Sequence, residues 1–175
     1  GAPLVRLDPR FQPAGMLDVT SSAARAWFAT YVATAVQDVG VSGWMADYAE
    51  WAPLAALYGS GESPWHVHNR YPILWQQANR DALAAANRDS PRGSNDFAFF
   101  TRSGWASVNG GSAGVAQVLW GGDQLTTWDR EDGFATIVPI SAHAGLAGMS
   151  IFGSDIAGYT AVFNPPSTKE LFFRW

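Results

Sequence analysis

Four short apolar runs, residues 41–46, 96–100, 116–120 and 149–152, are each followed within three residues by a charged side chain: Asp47, Arg102, Asp123 and Asp155. Helical patterns precede the first run, separate the first from the second and the third from the fourth, and follow the fourth, while a Gly-rich loop, residues 104–114, joins the second to the third. Residues 23–38 and the adjoining Val39 place Trp27, Tyr31, Ala35 and Val39 on one apolar stripe closed by Gly40, and residues 71–87 present Ile73, Leu74, Ala78 and Leu83, with Pro72 in the first turn. Residues 129–147 form a third helix of small residues, and a fourth helix starts near Ser167. Residues 1–18, broken by Pro3, Pro9 and Pro13, read as a loop. Strand and helix in alternation put the chain in the α/β class, with a parallel sheet and right-handed crossovers. Neither GxGxxG after a strand nor GxxxxGK[ST] is present, which removes the usual nucleotide reasons for an open sheet. The expected architecture is a partial (β/α)8 TIM barrel of about four strands, roughly half of a complete one of about 250 residues.

Composition narrows the function. The chain has 175 residues, 47% of them hydrophobic, with a net charge of −4 and eleven scattered Lys and Arg, so a nucleic-acid surface is not expected. No stretch is apolar enough to span a membrane, which points to a soluble protein, cytoplasmic rather than secreted. Without Cys there is neither disulfide nor thiolate chemistry. Beginning at Gly1 without Met and ending at Trp175 inside a helical pattern, the chain reads as a single fragment cut at both ends.

In α/β folds chemistry collects where strands run out, because the loops beyond their C-terminal ends form the open crevice. Asp47 and Asp123 stand there as two carboxylates on non-adjacent strands. Glycosidic cleavage needs such a pair: one to attack or stabilise the anomeric carbon, the other to protonate the departing oxygen. Arg102 offers a fork of donors and Asp155 two acceptor oxygens, both suited to sugar hydroxyls. Trp44, Trp105, Trp120 and Trp128 lie near the same strand ends, where an aromatic face serves either a sugar ring or the core. A metal site built on His66 and His68 is disfavoured, because the pair precedes a helix and the remaining His143 lies inside another. A serine triad lacks its GxSxG frame. No cofactor is expected.

The segments WMADYAEW (44–51), FFTRSGW (99–105), WGGDQLTTW (120–128) and GSDIAGY (153–159) resemble, in order and spacing, the catalytic-barrel motifs of glycoside hydrolase family 31. The resemblance covers essentially the whole chain, from after the third barrel strand to just after the seventh. It implies Asp47 as catalytic nucleophile, Asp123 as general acid/base, and Arg102 and Asp155 as substrate-binding residues, with Trp44, Glu50, Trp120 and Tyr159 as further substrate contacts. It also implies a carbohydrate substrate, an α-glucoside or an α-sulfoquinovoside, since W-M-A-D and W-x-G-D-Q are most similar to the sulfoquinovosidase-type branch. Tyr48-Ala49 stands where Phe-Gly is usual, and Ala157 where Gly is usual. The remaining barrel strands, an eighth-strand His and flanking domains are expected outside this chain. The alternatives are a carbohydrate-binding protein without catalysis, favoured only if a carboxylate were lost, and a transglycosidase on the same barrel.

Overall fold

The computed structural model describes residues 4–6, 14–88, 97–104, 111–159, 161 and 166–175. They fall into two compact units, Gly1–Ala116 and Gln117–Trp175.

The first unit opens with a hairpin, β1 (Leu4–Arg6) antiparallel to β2 (Ala14–Met16), where a loop was expected. Three-residue strands are too short to show a period, and pairing alone defines them. Helix α1 (Ser22–Thr34) is capped by Ser21, whose Oγ accepts from the Ala24 N–H at 3.4 Å. It widens into a π-helical turn, Ala35–Val39, and ends at Gly40 in the left-handed region at φ 79°. The expected apolar stripe is not the buried one. Trp27 and Tyr31 are 60% and 66% exposed and stack on each other, while Val32 is buried and Phe28 packs on Trp75 at 4.8 Å. Both faces satisfy the helical period, and the packing partner selects between them.

Helix α2 runs from Pro64 to Arg88, seven residues longer at its start than its apolar pattern indicated. Pro72 therefore lies in the helix interior, where it removes one main-chain hydrogen bond. Burial of Val67, Tyr71 and Ile73 on either side compensates for that loss. With Val19, Ala49, Ala52, Tyr58 and Ala78, Val67 and Tyr71 form the core of this unit. The irregular stretch before α2 is tied at three points. Tyr58 Oη donates to the Pro53 carbonyl (3.0 Å), Gly59 N–H to Asp18 Oδ2 (2.6 Å) and Ser60 N–H to Thr20 Oγ1 (3.1 Å). Tyr71 Oη reaches the Leu17 carbonyl, and burial raises its pKa.

Strand β3 (Gly43–Ala46) pairs in parallel with β4 (Ala98–Thr101), Gly43 opposite Ala98 and Ala46 opposite Thr101. A Cβ on residue 43 would lie 2.7 Å from the Ala98 carbonyl oxygen, so glycine permits the close approach. Ala46 is buried but Met45 is exposed, so only part of the apolar run of β3 is covered.

In the second unit β5 (Val118–Trp120) runs parallel to β6 (Phe152–Gly153), Leu119 opposite Phe152. Helix α3 occupies only Ile137–Leu146, preceded by a 3₁₀ turn, Phe134–Thr136. Asp129, expected to begin this helix, instead holds a loop. Its Oδ1 accepts the N–H groups of Glu131, Asp132 and Gly133 at 2.8–3.0 Å, and the Thr127 hydroxyl bonds Oδ2. These bonds, that of Asp132 foremost, bring its carboxyl down to about 2. Helix α4 (Lys169–Arg174) is capped by Thr168 and buries Leu171. Trp175 packs on Phe134 at 5.2 Å and donates from Nε1 to Ser154 Oγ at 2.8 Å.

Candidate active site

In the first unit the parallel register brings the residues following β3 and β4 side by side. Asp47 follows Ala46 and Arg102 follows Thr101, and these two strand ends are opposite each other. Arg102 Nη2 lies 3.1 Å from Asp47 Oδ1 and 2.6 Å from Glu50 Oε1, so one guanidinium nitrogen serves both carboxylates. Glu50 reaches it because Tyr48 takes the left-handed conformation (φ 64°), with its N–H donating back to Asp47 Oδ1 at 2.8 Å. The chain then turns through a 3₁₀ segment, Ala49–Trp51. The Tyr48 ring lies 5.4 Å from the Arg102 guanidinium carbon, in cation–π range. A carboxylate so held is oriented, and its negative charge is balanced in a partly water-shielded place.

Two buried polar side chains of α2 back this corner. Gln76 donates from Nε2 to the Ser103 carbonyl at 2.8 Å, fixing the chain directly after Arg102. Asn79 Oδ1 accepts from Trp44 Nε1 at 2.7 Å, and the indole of Trp44 lies over Phe99. Trp44, expected to contact substrate, thus has its one polar group engaged with α2. Sequence reasoning passed over Gln76 and Asn79. The available signal was a pair of amides three residues apart on the apolar face of a helix, where burial demands partners. Trp105 lies outside the described residues. His66 and His68 stand in the first turns of α2 rather than in a loop, and His68 Nδ1 sits 2.6 Å from the Ala52 carbonyl oxygen, a packing role. Among the described residues no cluster of three His, Cys, Asp or Glu could hold a metal ion, and no helix is long and apolar enough to cross a membrane.

The second unit positions its own group. Asp123 follows β5 through Gly121 and Gly122, the latter at φ 94°. The buried Gln124 donates from Nε2 to the Gly121 carbonyl at 2.6 Å, closing that turn. Asp155, beyond β6, accepts at Oδ1 from Trp120 Nε1 at 3.0 Å. Trp120 is buried, so here too the indole acts as a strut beneath a carboxylate rather than as an open platform. Tyr159 donates its main-chain N–H to the Gln124 carbonyl at 2.8 Å, and its side chain is 63% exposed.

Between Asp155 and Tyr159 the chain takes two consecutive left-handed residues, Ala157 at φ 73° and Gly158 at φ 88°. At 158 a Cβ would meet the Leu125 carbonyl oxygen at 2.7 Å, and only glycine fits. At 157 the alanine bears the strain of the left-handed region, on the order of 1–2 kcal/mol, set against the smaller entropic cost of a glycine. Ala157→Gly is expected to stabilise the protein by about 0.5–1 kcal/mol, read as a higher urea midpoint at unchanged slope. A lower midpoint would mean that the packing of this buried methyl outweighs the strain.

Residues 5–175 match the family model described as the glycosyl hydrolases family 31 TIM-barrel domain. The chain belongs to this family. It is 34% identical over 161 residues to the sulfoquinovosidase of Escherichia coli K12, covering 92% of the chain and 22% of that enzyme. A solved family 31 sulfoquinovosidase from E. rectale, in complex with an aza-sugar inhibitor, superposes over the full chain and 25% of its own length, with TM-score 0.87 and 34% identity. A cycloalternan-degrading enzyme from Trueperella pyogenes, solved with a covalent intermediate, matches 93% of the chain and 20% of its own, with TM-score 0.72 and 27% identity. The chain thus spans about a quarter or less of the length of these relatives, and its fold is a part of the family 31 TIM barrel.

Proposed function

We propose that this chain is the catalytic portion of a longer retaining α-glycosidase, with an α-sulfoquinovoside as its substrate. The observation that carries the reading is Asp47, placed at the end of β3 and oriented by Arg102, in a chain whose family relatives include sulfoquinovosidases. Asp47 attacks the anomeric carbon, and the glycosidic bond breaks as Asp123 protonates the departing oxygen. The product of this step is a sugar ester on Asp47. Asp123 then takes a proton from water, which attacks the same carbon and releases the sugar with retained configuration. A covalent intermediate in the related cycloalternan-degrading enzyme agrees with this two-step course.

Glu50 has a positioning role here. By sharing Arg102 it holds the guanidinium against Asp47, so that the nucleophile stays aimed before substrate arrives. Asp155, steadied at one oxygen by Trp120, accepts from ring hydroxyls with the other. Tyr159, exposed on the loop locked by Ala157 and Gly158, donates its hydroxyl to the substituent on C6. Tyr159→Phe is therefore expected to lower kcat/KM for an α-sulfoquinovoside by about 1–3 kcal/mol, the range for a hydrogen bond to a charged group. A plain α-glucoside should be affected much less. Equal losses on both sugars, or no turnover of the sulfonated one by the unaltered enzyme, would return the chain to a general α-glucosidase reading.

A further inference from the structure

Away from the carboxylates, the outward face of α2 and a 3₁₀ turn, Gly111–Gly114, wall a groove of about 660 Å³ in the first unit. That volume falls in the range of small-molecule sites. Its far wall is fixed, because Arg80 donates from Nη1 to the carbonyls of Gly114 (2.9 Å) and Val115 (3.0 Å). Ile73, Leu74 and Val115 supply an apolar floor, and Trp65 stands at the rim, 70% exposed. Asn69 and Gln77 also line it, each with an amide that offers two donors and an acceptor.

The charge balance of the groove selects against an anion. Its one permanent cation, Arg70, is paired with Glu62 at 2.7 Å, and that hydrogen bond holds the Glu62 carboxyl below the usual carboxylate range. What remains among the described lining residues is an aromatic face, the exposed imidazole of His66, two amides and no permanent charge without a partner. A neutral pyranose presents the matching surfaces: an apolar face of C–H groups for the indole, and adjacent hydroxyls that donate and accept toward amides.

The geometry points to a second carbohydrate-binding site in this groove, taking a neutral hexopyranose unit on Trp65, Asn69 and Gln77. Trp65 lies in the first turn of the helix that follows β3, the end of an α/β crossover helix that shares a side with the carboxyl end of its strand. The Trp65 end of the groove therefore lies on the side of the carboxyl end of β3, where Asp47 stands. The binding itself does not depend on the proposed catalytic reading.

Affinity electrophoresis of the full-length protein in gels containing soluble starch or dextran tests the site. Wild type and Asp47→Ala should both be retarded by at least one of the glucans, and Trp65→Ala should weaken that retardation about tenfold, the scale of a lost stacking contact. Trp65→Ala should leave kcat/KM on a 4-nitrophenyl α-glycoside within about twofold. Asn69→Ala, which keeps the indole, should weaken retardation less, and it guards against a folding defect in Trp65→Ala. Retardation absent in wild type, unchanged in Trp65→Ala, or abolished by Asp47→Ala alone would overturn the inference. A change of oligomeric state in Trp65→Ala would also overturn it, by assigning the groove to a second copy of the chain. An inactive wild type that is still retarded through Trp65 would sink the glycosidase reading and leave this site standing.

Discussion

In the full-length protein, Asp47→Ala is expected to lower turnover by about 10⁴-fold or more on every glycoside, whatever its leaving group, because the covalent step has no other route. The loss should fall on kcat, with substrate still bound. Asp47 also accepts the Tyr48 N–H and faces Arg102, so the substitution removes two structural contacts along with the proposed nucleophile. Added azide separates the two effects, since a small anion entering the vacated space can attack the anomeric carbon from the opposite face of the sugar. Rescue with inverted product identifies a chemical loss. Residual activity above about 1% of wild type on an activated glycoside would remove Asp47 from the nucleophile role.

Asp123→Ala should behave differently, and its effect should depend on the leaving group. A nitrophenolate departs without a proton, so the first step is expected to fall by less than about tenfold on a 4-nitrophenyl glycoside. An alkyl glycoside, whose departing alkoxide must be protonated, should lose about 10²–10⁴-fold. Pre-steady-state kinetics on the activated substrate should show a burst of nitrophenol followed by a slow phase, because the proposed mechanism uses the same group as base in the second step. Equal losses on both substrates would place Asp123 outside proton transfer.

The parts of this site that the sequence made legible are local ones. A strand is short and apolar, it stops, and the next residues are charged, so Asp47, Arg102, Asp123 and Asp155 could be placed at strand ends without knowledge of packing. The same reasoning failed where an element's identity depends on distant partners. The hairpin of β1 and β2 has no periodicity within three residues, and only pairing reveals it. The start of α2 at Pro64 was hidden because His66, His68 and Asn69 look like loop residues, yet burial of Val67 and Tyr71 in the core carries the helix across them. Asp129, taken as the first residue of a helix, instead closes a loop on itself by accepting the N–H groups of the residues that follow it.

Legible in the chain alone are the order of the helices and parallel strands from α1 onward, the charged group after each parallel strand, and four motifs that identify a family 31 barrel. These are properties of near neighbours along the chain, fixed by backbone periodicity and by residue type. Only the tertiary structure decided which face of α1 is buried, that Trp44 and Trp120 spend their indole N–H groups on Asn79 and Asp155, and that Arg102 is shared by Asp47 and Glu50. A helical period states which residues share a face, but it does not say which face meets a partner. A polar group's chemistry states that it needs a partner when buried, but the partner is chosen by elements 35 to 52 residues away in the chain.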